Sequence, residues 1–496
     1  VDGPERSPGL NVGSWLTAWA ERAPERTAIV ETGSGARWSY AALESLGNRA
    51  AALLASEGVG HGDRVAVALG SEALYAALYF ALAKLGAVLL PLNTRLALPE
   101  IAYQLSDAAP RVVIHDASIP LPEHGAARTW ERAALLAALP AHADPPALAG
   151  GGEDPHVLMY TSGTTGYPKG ALLPHRKTLY NTLNAELYFG LGERDVVIAP
   201  VPLFHSFGLK ILAVPTLFAG ATLVLVDRFD ARQIQQLVKD ERGTLLGGVP
   251  IMFRRMLREG LARESLASLR SAFSAGAALD LETIRAFGEA GIPLRQGYGQ
   301  TETSILCCLD ASDAQRKAGS VGRAVAHAEL RIADEHGRAL PAGSAGEIQV
   351  RGPVCMLGYW RAPEATRAAR IDGWHRTGDL GTIDADGFVY LVGRLKDMYI
   401  SGGENVYPAE VERVLEEHPG VAEAAVVGVA DREWGEVGRA YVVPARASLA
   451  VEELERWADA RLARYKRPRQ WVLVAELPRT ASGKVRKHLL AGSDVS

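Results

Sequence analysis

Repeatedly in its first 250 residues this chain sets a segment with helically spaced apolar residues just before a short, unbroken apolar run. SYAALESLGNRAAALLASEGV, from Ser39, is followed by RVAVAL; IAYQLSDAAP is followed by RVVIHD; IQQLVKDERG is followed by TLLGGVP. Such helix–strand alternation implies parallel β-sheet built from βαβ units, with Ser39 placed to cap the first helix. The most apolar stretch, YAALYFALAKLGAVLLPL from Tyr75, is broken by Lys84 and Gly86 and ends at Pro91. That is short of the ~20 uninterrupted residues a membrane span needs, so it reads as a buried helix and a buried strand.

After about residue 320 the texture changes. ELRIADEHGRAL, GEIQVRG and GTIDADGFVYLVGR are short strand patterns joined by turn signals, which implies a small antiparallel subdomain over about 320–394. A boundary is expected at GRLKD, and beyond it a unit of strands and two amphipathic helices, PAEVERVLEEH and VEELERWADARLARY, is large enough to fold alone. The expected organisation is an α/β chain with a large domain over 1–394, a hinge at 395–397 and an α+β domain over 398–496. Residues 119–154, rich in Pro, Ala, Gly and Glu, read as a surface excursion.

Composition narrows the function. A formal net charge of −4 leaves no basic excess to neutralise nucleic-acid phosphates, though one loop could still hold a nucleotide. The cysteines Cys307, Cys308 and Cys355 are odd in number, contain an adjacent pair and form no C-x-x-C. They argue against a disulfide framework or a zinc knuckle and for a reducing, cytoplasmic setting. The start, VDGPERSPGLNVGSW, lacks the apolar core of a secretion signal.

The chemistry is carried by YTSGTTGYPKG at 160–170. Gly163, Gly166 and Gly170 let backbone approach an anion; Thr161, Ser162, Thr164 and Thr165 add hydroxyl donors and Lys169 a point charge. These groups suit a polyphosphate. The order departs from the common P-loop, because Lys169 follows Pro168 and precedes Gly170. Alone, a stretch of this composition is more often an ordinary surface turn.

Its company decides. PLFH (202–205), SAGAALD (274–280), QGYGQTET (296–303), HRTGDLG (375–381), GRLKDMYISGGENVYPAEVE (393–412) and PRTASGK (478–484) follow in order. In that order and spacing the chain resembles, over nearly its whole length, the adenylate-forming superfamily of acyl-CoA synthetases, luciferases and peptide-synthetase adenylation domains. The resemblance implies a large N-terminal domain, a mobile C-terminal domain, and two half-reactions that use ATP, Mg2+ and coenzyme A. A carboxylate attacks the α-phosphate of ATP, and a thiol then displaces AMP.

The resemblance also implies residue roles. Thr161, Ser162, Gly163, Thr164, Thr165 and Lys169 would hold the β- and γ-phosphates. Gly276, Ala277, Ala278, Gly297 and Gly299 would surround the nucleotide, with Tyr298 against adenine. Thr301 would donate to the α-phosphate and Glu302 would hold magnesium, a hard cation that prefers oxygen ligands. Asp379 and Arg394 would bind the ribose, and Lys484 would reach the reacting carboxylate and α-phosphate. Rotation at Lys396 and Asp397 would exchange Lys484 for Ser401, Gly402, Gly403 and Glu404, which line the path of the pantetheine thiol.

For the acid, the implied pocket includes His205, Phe207, Gly276, Gly299, Gln300 and Ile305. No Asp follows Phe204 to hold an α-ammonium, and no Arg stands in AGAALD to pair a second carboxylate. A buried unpaired charge is costly, so a hydrophobic acid is favoured, of medium or long chain or with a bulky cyclic or aromatic body. Small residues at 276–278 and 299 leave room for it. The leading expectation is an acyl-CoA synthetase acting as monomer or homodimer. The alternative is a stand-alone ligase that loads an acyl carrier protein; a luciferase-like oxygenase and a non-catalytic nucleotide binder rank below both.

Overall fold

The structure is a computed structural model that describes residues 9–161, 168–276, 279–314, 316–395, 397–401, 404–431, 434–462, 464–480 and 484–491. The chain divides into two compact units, Val1–Leu330 with Val350–His375, and Arg331–Gln349 with Arg376–Ser496.

The first unit is built on two sheets. One runs, in spatial order, Gly358–Tyr359, Lys169–Pro174, Pro155–Thr161, Val88–Pro91, Arg64–Ala68, Val112–His115 and Arg128–Glu131. It is parallel from Pro155–Thr161 to Arg128–Glu131 and antiparallel at its other edge. The second is parallel through Thr27–Glu31, Thr222–Leu225, Val196–Ala199, Leu245–Gly248, Ser271–Ser274 and Leu294–Gln300. There it turns back in a hairpin to Ser304–Leu309. Two-sided burial explains the unbroken apolar runs: Val112, Val113 and Ile114, for example, are all fully buried.

The helix Ala73–Lys84 is buried along its whole length, as its all-round apolar surface requires. Its final residue, Lys84, sits in that core with Nζ 2.5 Å from Glu44 Oε1 and 2.7 Å from Asn48 Oδ1. Glu44 comes from the helix Tyr40–Ser56, which Ser39 caps by accepting from the Ala42 amide. Residues 119–154 are more than a surface excursion. They hold the strand Arg128–Glu131 and the helix Arg132–Ala138, anchored by buried Trp130 and Leu135 and by the Arg132–Glu72 ion pair.

Behind Pro155–Thr161 lies a buried basic group. The rings of His156 and His175 stack with centroids 4.3 Å apart, and Lys210 Nζ donates to Tyr79 Oη at 3.0 Å. His175 Nδ1 accepts the Val12 amide, so its ring is held neutral with the proton on Nε2. Burial, helped by Lys210, pushes His175 down to about 3.

In the second unit Asp379–Ile383, the end of the strand Trp374–Ile383, pairs with the strand Phe388–Arg394 in the hairpin expected at D-A-D-G. Asp384 Oδ1 closes it by accepting from the amides of Asp386 and Phe388. A further sheet runs Glu404–Val406, Tyr399–Ser401, Gly435–Pro444 and Val421–Asp431, with Gln470–Leu473 parallel beside Gly435–Pro444. Helices Pro408–Glu416 and Val451–Asp459 cover it through Val411, Val414, Leu415, Leu454 and Ala458. Cys307, Cys308 and Cys355 are free thiols. Among the described residues no helix is long and apolar enough to cross a membrane.

Candidate active site

Thr161 and Lys169 are cross-strand partners at the ends of Pro155–Thr161 and Lys169–Pro174. The expected phosphate loop therefore leaves and re-enters the sheet on one rung. Ser162, Gly163, Thr164 and Thr165 of that loop lie outside the described residues, as do Ala277, Ala278, Lys396, Gly402 and Gly403.

Next to Lys169–Pro174 the short strand Gly358–Tyr359 pairs with Ala171 and Leu172, which delivers Tyr359 to the same edge. Lys169 Nζ lies 5.5 Å from the centre of the Tyr359 ring. The other sheet contributes Glu302 from the turn between Leu294–Gln300 and Ser304–Leu309. Thr161 donates to Glu302 Oε1 at 2.8 Å and Tyr359 donates to the same oxygen at 3.2 Å. The backbone carbonyl of Glu302 accepts the Met356 amide at 2.7 Å, one residue past the half-buried Cys355. Thr161, Lys169 and Glu302, far apart in sequence, are thus brought together as expected. Tyr359 was not anticipated, and its phenol, pushed up by burial and by Glu302, stays a protonated donor.

Both hydroxyls bind Oε1, and among the described residues Oε2 has no bonded partner. The described residues contain no group of three or more His, Cys, Asp or Glu side chains able to hold a metal. A single carboxylate with one unbonded oxygen fits a cation such as Mg2+, which takes its other ligands from phosphate and water.

Local backbone explains how Glu302 is presented. A β-bulge at Tyr298 and Gly299 bends the hairpin, and a Cβ on Gly299 would lie 1.9 Å from the Ser304 carbonyl oxygen. Gly299 is therefore required by its own turn, beyond any room it leaves for an acid. Gly276 has φ +93°, a conformation that L side chains rarely adopt. Ser304 closes the turn with φ +63°, in the left-handed region. Tyr298 is buried, Thr301 and Gln300 are half-buried, and Gly297 packs against Phe273.

At the expected acid pocket Ile305 is buried, and Phe207 meets Phe273 edge-on at 5.9 Å. Phe189 packs against the same ring at 4.6 Å, while His205 is half-buried against Phe204. Phe189, Phe273 and Ile305 are buried in the apolar core of this unit, with Phe207 packed against it.

In the second unit Asp379 is buried and its Oδ1 lies 3.1 Å from Arg394 Nε, across one rung of the hairpin. The turn before Asp379 is held by Glu347, which sequence reasoning missed: its carboxylate accepts from Gly378 N at 3.1 Å and Arg376 Nε at 2.7 Å. Asp397 follows in a turn, its amide bonded to the Arg394 carbonyl. Ser401 is buried in the strand Tyr399–Ser401, and Glu404 begins the next strand. Lys484 is exposed, its amide donating to Thr480 Oγ1 at 3.1 Å and its carbonyl accepting from the Thr480 amide.

Comparison with known proteins places the chain by sequence and by fold. Residues 16–360 match the family described as AMP-binding enzyme, and residues 410–484 match the AMP-binding enzyme C-terminal domain. A feruloyl-CoA synthase of Amycolatopsis is 40% identical over 491 residues, spanning 97% of this chain and 98% of that protein. The long-chain-fatty-acid–CoA ligase FadD13 of Mycobacterium tuberculosis is 37% identical over 494 residues, with the same coverage. The o-succinylbenzoate coenzyme A synthetase MenE of Bacillus subtilis, solved with ATP and magnesium ion, superposes with a TM-score of 0.87 at 32% identity. That match covers 96% of this chain and 99% of the other.

Proposed function

The chain belongs to the AMP-binding enzymes, and from that premise we propose that it activates a hydrophobic carboxylic acid and transfers the acyl group to coenzyme A. It is an AMP-forming acid–thiol ligase that uses ATP, Mg2+ and coenzyme A. One observation carries the site assignment: Glu302 is oriented by Thr161 and Tyr359 through one oxygen while the other has no described partner.

In the first half-reaction a carboxylate oxygen bonds to the α-phosphorus of ATP, the bond to the β-phosphate oxygen breaks, and pyrophosphate leaves. Magnesium, when bound, neutralises phosphate charge. Glu302 would hold it. Lys169 takes the β/γ-phosphate end, Thr161 orients Glu302 beside it, and Thr301 donates to the α-phosphate; the family resemblance assigns the ribose hydroxyls to Asp379 with Arg394. The resemblance gives Lys484 the task of offsetting the charge of the two anions brought together. In the second half-reaction the thiolate sulfur of coenzyme A bonds to the acyl carbon and the acyl–oxygen bond to AMP breaks.

The apolar side chains Phe207, Phe273 and Ile305 at the expected pocket position support an apolar acid. Relatives whose names state feruloyl and long-chain fatty acyl substrates bracket the same class. A pyrophosphate-release screen over short, medium, long, aromatic and polycyclic acids, each with coenzyme A or acyl carrier protein, tests the proposal. Thioester on coenzyme A from fatty or aromatic acids is expected. Acylation of carrier protein alone, or a response confined to dicarboxylates or amino acids, would overturn it.

A further inference from the structure

Lys177 is a basic side chain that the site as described does not use. It stands in the first turn of the helix His175–Phe189 and is 1% exposed. Burial pushes its ammonium down to about 7, against the opposing pull of Cys355 and Glu302. An amine placed in the interior is costly unless it is bonded. Its hydrogen-bond partner here is Ser304 Oγ.

Ser304 is the left-handed residue that closes the turn carrying Thr301 and Glu302. A non-glycine residue in that conformation is strained and persists only where its surroundings hold it. Two residues of one helix face supply the hold. Lys177 grips the Ser304 side chain, and Asn181, four residues on, accepts the Ile305 amide at 3.3 Å. On the other limb the Thr303 amide bonds back to the Gln300 carbonyl at 3.2 Å. The turn tip between them has little freedom, and the Glu302 carboxylate stays against Thr161 and Tyr359.

We propose that Lys177 is a positioning residue for Glu302: by fixing Ser304 in its left-handed conformation it presets the carboxylate that would receive the magnesium of MgATP. The inference rests on the assignment of Glu302 as the magnesium carboxylate. Lys177 touches neither nucleotide nor acid in this scheme; it acts through the turn.

The test measures ATP binding by calorimetry across a Mg2+ titration, with acyl-AMP formation followed in parallel. Lys177→Met is expected to raise the Mg2+ concentration needed for half-maximal ATP binding about tenfold, the worth of one buried hydrogen bond to an ionisable group. ATP binding without Mg2+ should be unchanged. The double variant Lys177→Met with Ser304→Gly should recover most of the loss, because glycine adopts positive φ without being held. Ser304→Ala, which keeps a Cβ but removes the oxygen, should behave like Lys177→Met and serves in its place if that variant does not fold. Unchanged Mg2+ dependence in Lys177→Met, or no recovery in the double variant, would overturn the proposal. A wild-type protein that binds MgATP yet adenylates no acid would instead count against the proposed function.

Discussion

Thr161 donates its hydroxyl to Glu302 Oε1 across 2.8 Å although the two residues stand 141 positions apart. That bond joins the end of one sheet to the hairpin turn of the other, and it sets which carboxylate oxygen is left for a cation. Glu302→Gln should slow acyl-AMP formation about 100-fold, the scale of losing one aligned electrostatic group. Thr161→Val and Tyr359→Phe should each cost about tenfold, as loss of one hydrogen bond to an ionised acceptor does. Pyrophosphate release at saturating ATP and Mg2+ checks all three.

Lys484→Ala should divide the two half-reactions. Acyl-AMP formation is expected to fall about 100-fold, because a fixed charge facing two anions is removed. Thioester formation from acyl-AMP supplied ready-made should be nearly intact. Single-turnover assays of each half-reaction read this out, and equal loss in both would assign Lys484 a different role.

The buried pair of Lys84 and Glu44 supplies a stability test remote from the chemistry. Lys84→Met leaves the Glu44 carboxylate in the core without its cation, and Thr17 and Asn48 donate only neutral bonds to it. A loss of ~3–5 kcal/mol is expected. Adding Glu44→Leu should restore much of it, since an apolar pair of similar volume leaves no uncompensated charge. Urea denaturation of the parent and the two variants decides.

Acid should unfold the protein partly through His175. Its ring is neutral when folded, with its pKa pushed down to about 3, so the unfolded chain binds the extra proton first as pH falls. Stability is therefore lost from pH ~6.5 downward, by up to ~1.4 kcal/mol per pH unit for each such group. His156, stacked on it and held well below its ordinary range by burial and Lys210, acts in the same direction. Thermal midpoints at pH 7, 6, 5 and 4 should fall less steeply in His175→Asn than in the parent.

Much of the fold was legible because apolar periodicity reports burial directly. The runs RVAVAL and RVVIHD are parallel strands, and the segment from Tyr75 is a buried helix and strand. In the candidate site the motifs named Glu302, Asp379 and Arg394, but that Glu302 stands in a hairpin turn and that Asp379 faces Arg394 across one rung came from the structure. Tyr359 was not legible. Its role arises only because Gly358–Tyr359 pairs with Ala171 and Leu172, a contact between segments nearly 190 positions apart with no spacing signal. Lys177 was not singled out, because a lysine is ordinarily exposed and only tertiary packing buries this one. Residues 119–154 misled because their composition is that of a loop, and burial of Trp130 and Leu135 overrides it.

Cys355 turns the arrangement around Glu302 into something that can be watched chemically. Cys307 and Cys308 are closed to alkylating reagents by depth and by thiols that burial pushes up, Cys308 to about 12. Cys355 is only half-buried; burial raises its thiol as well, but Lys177, Arg176 and Arg370 pull against that rise. A maleimide added to the native protein should therefore label this position first. Because the next residue, Met356, is bonded to the Glu302 backbone, the labelling rate becomes a built-in gauge of how firmly that turn is seated.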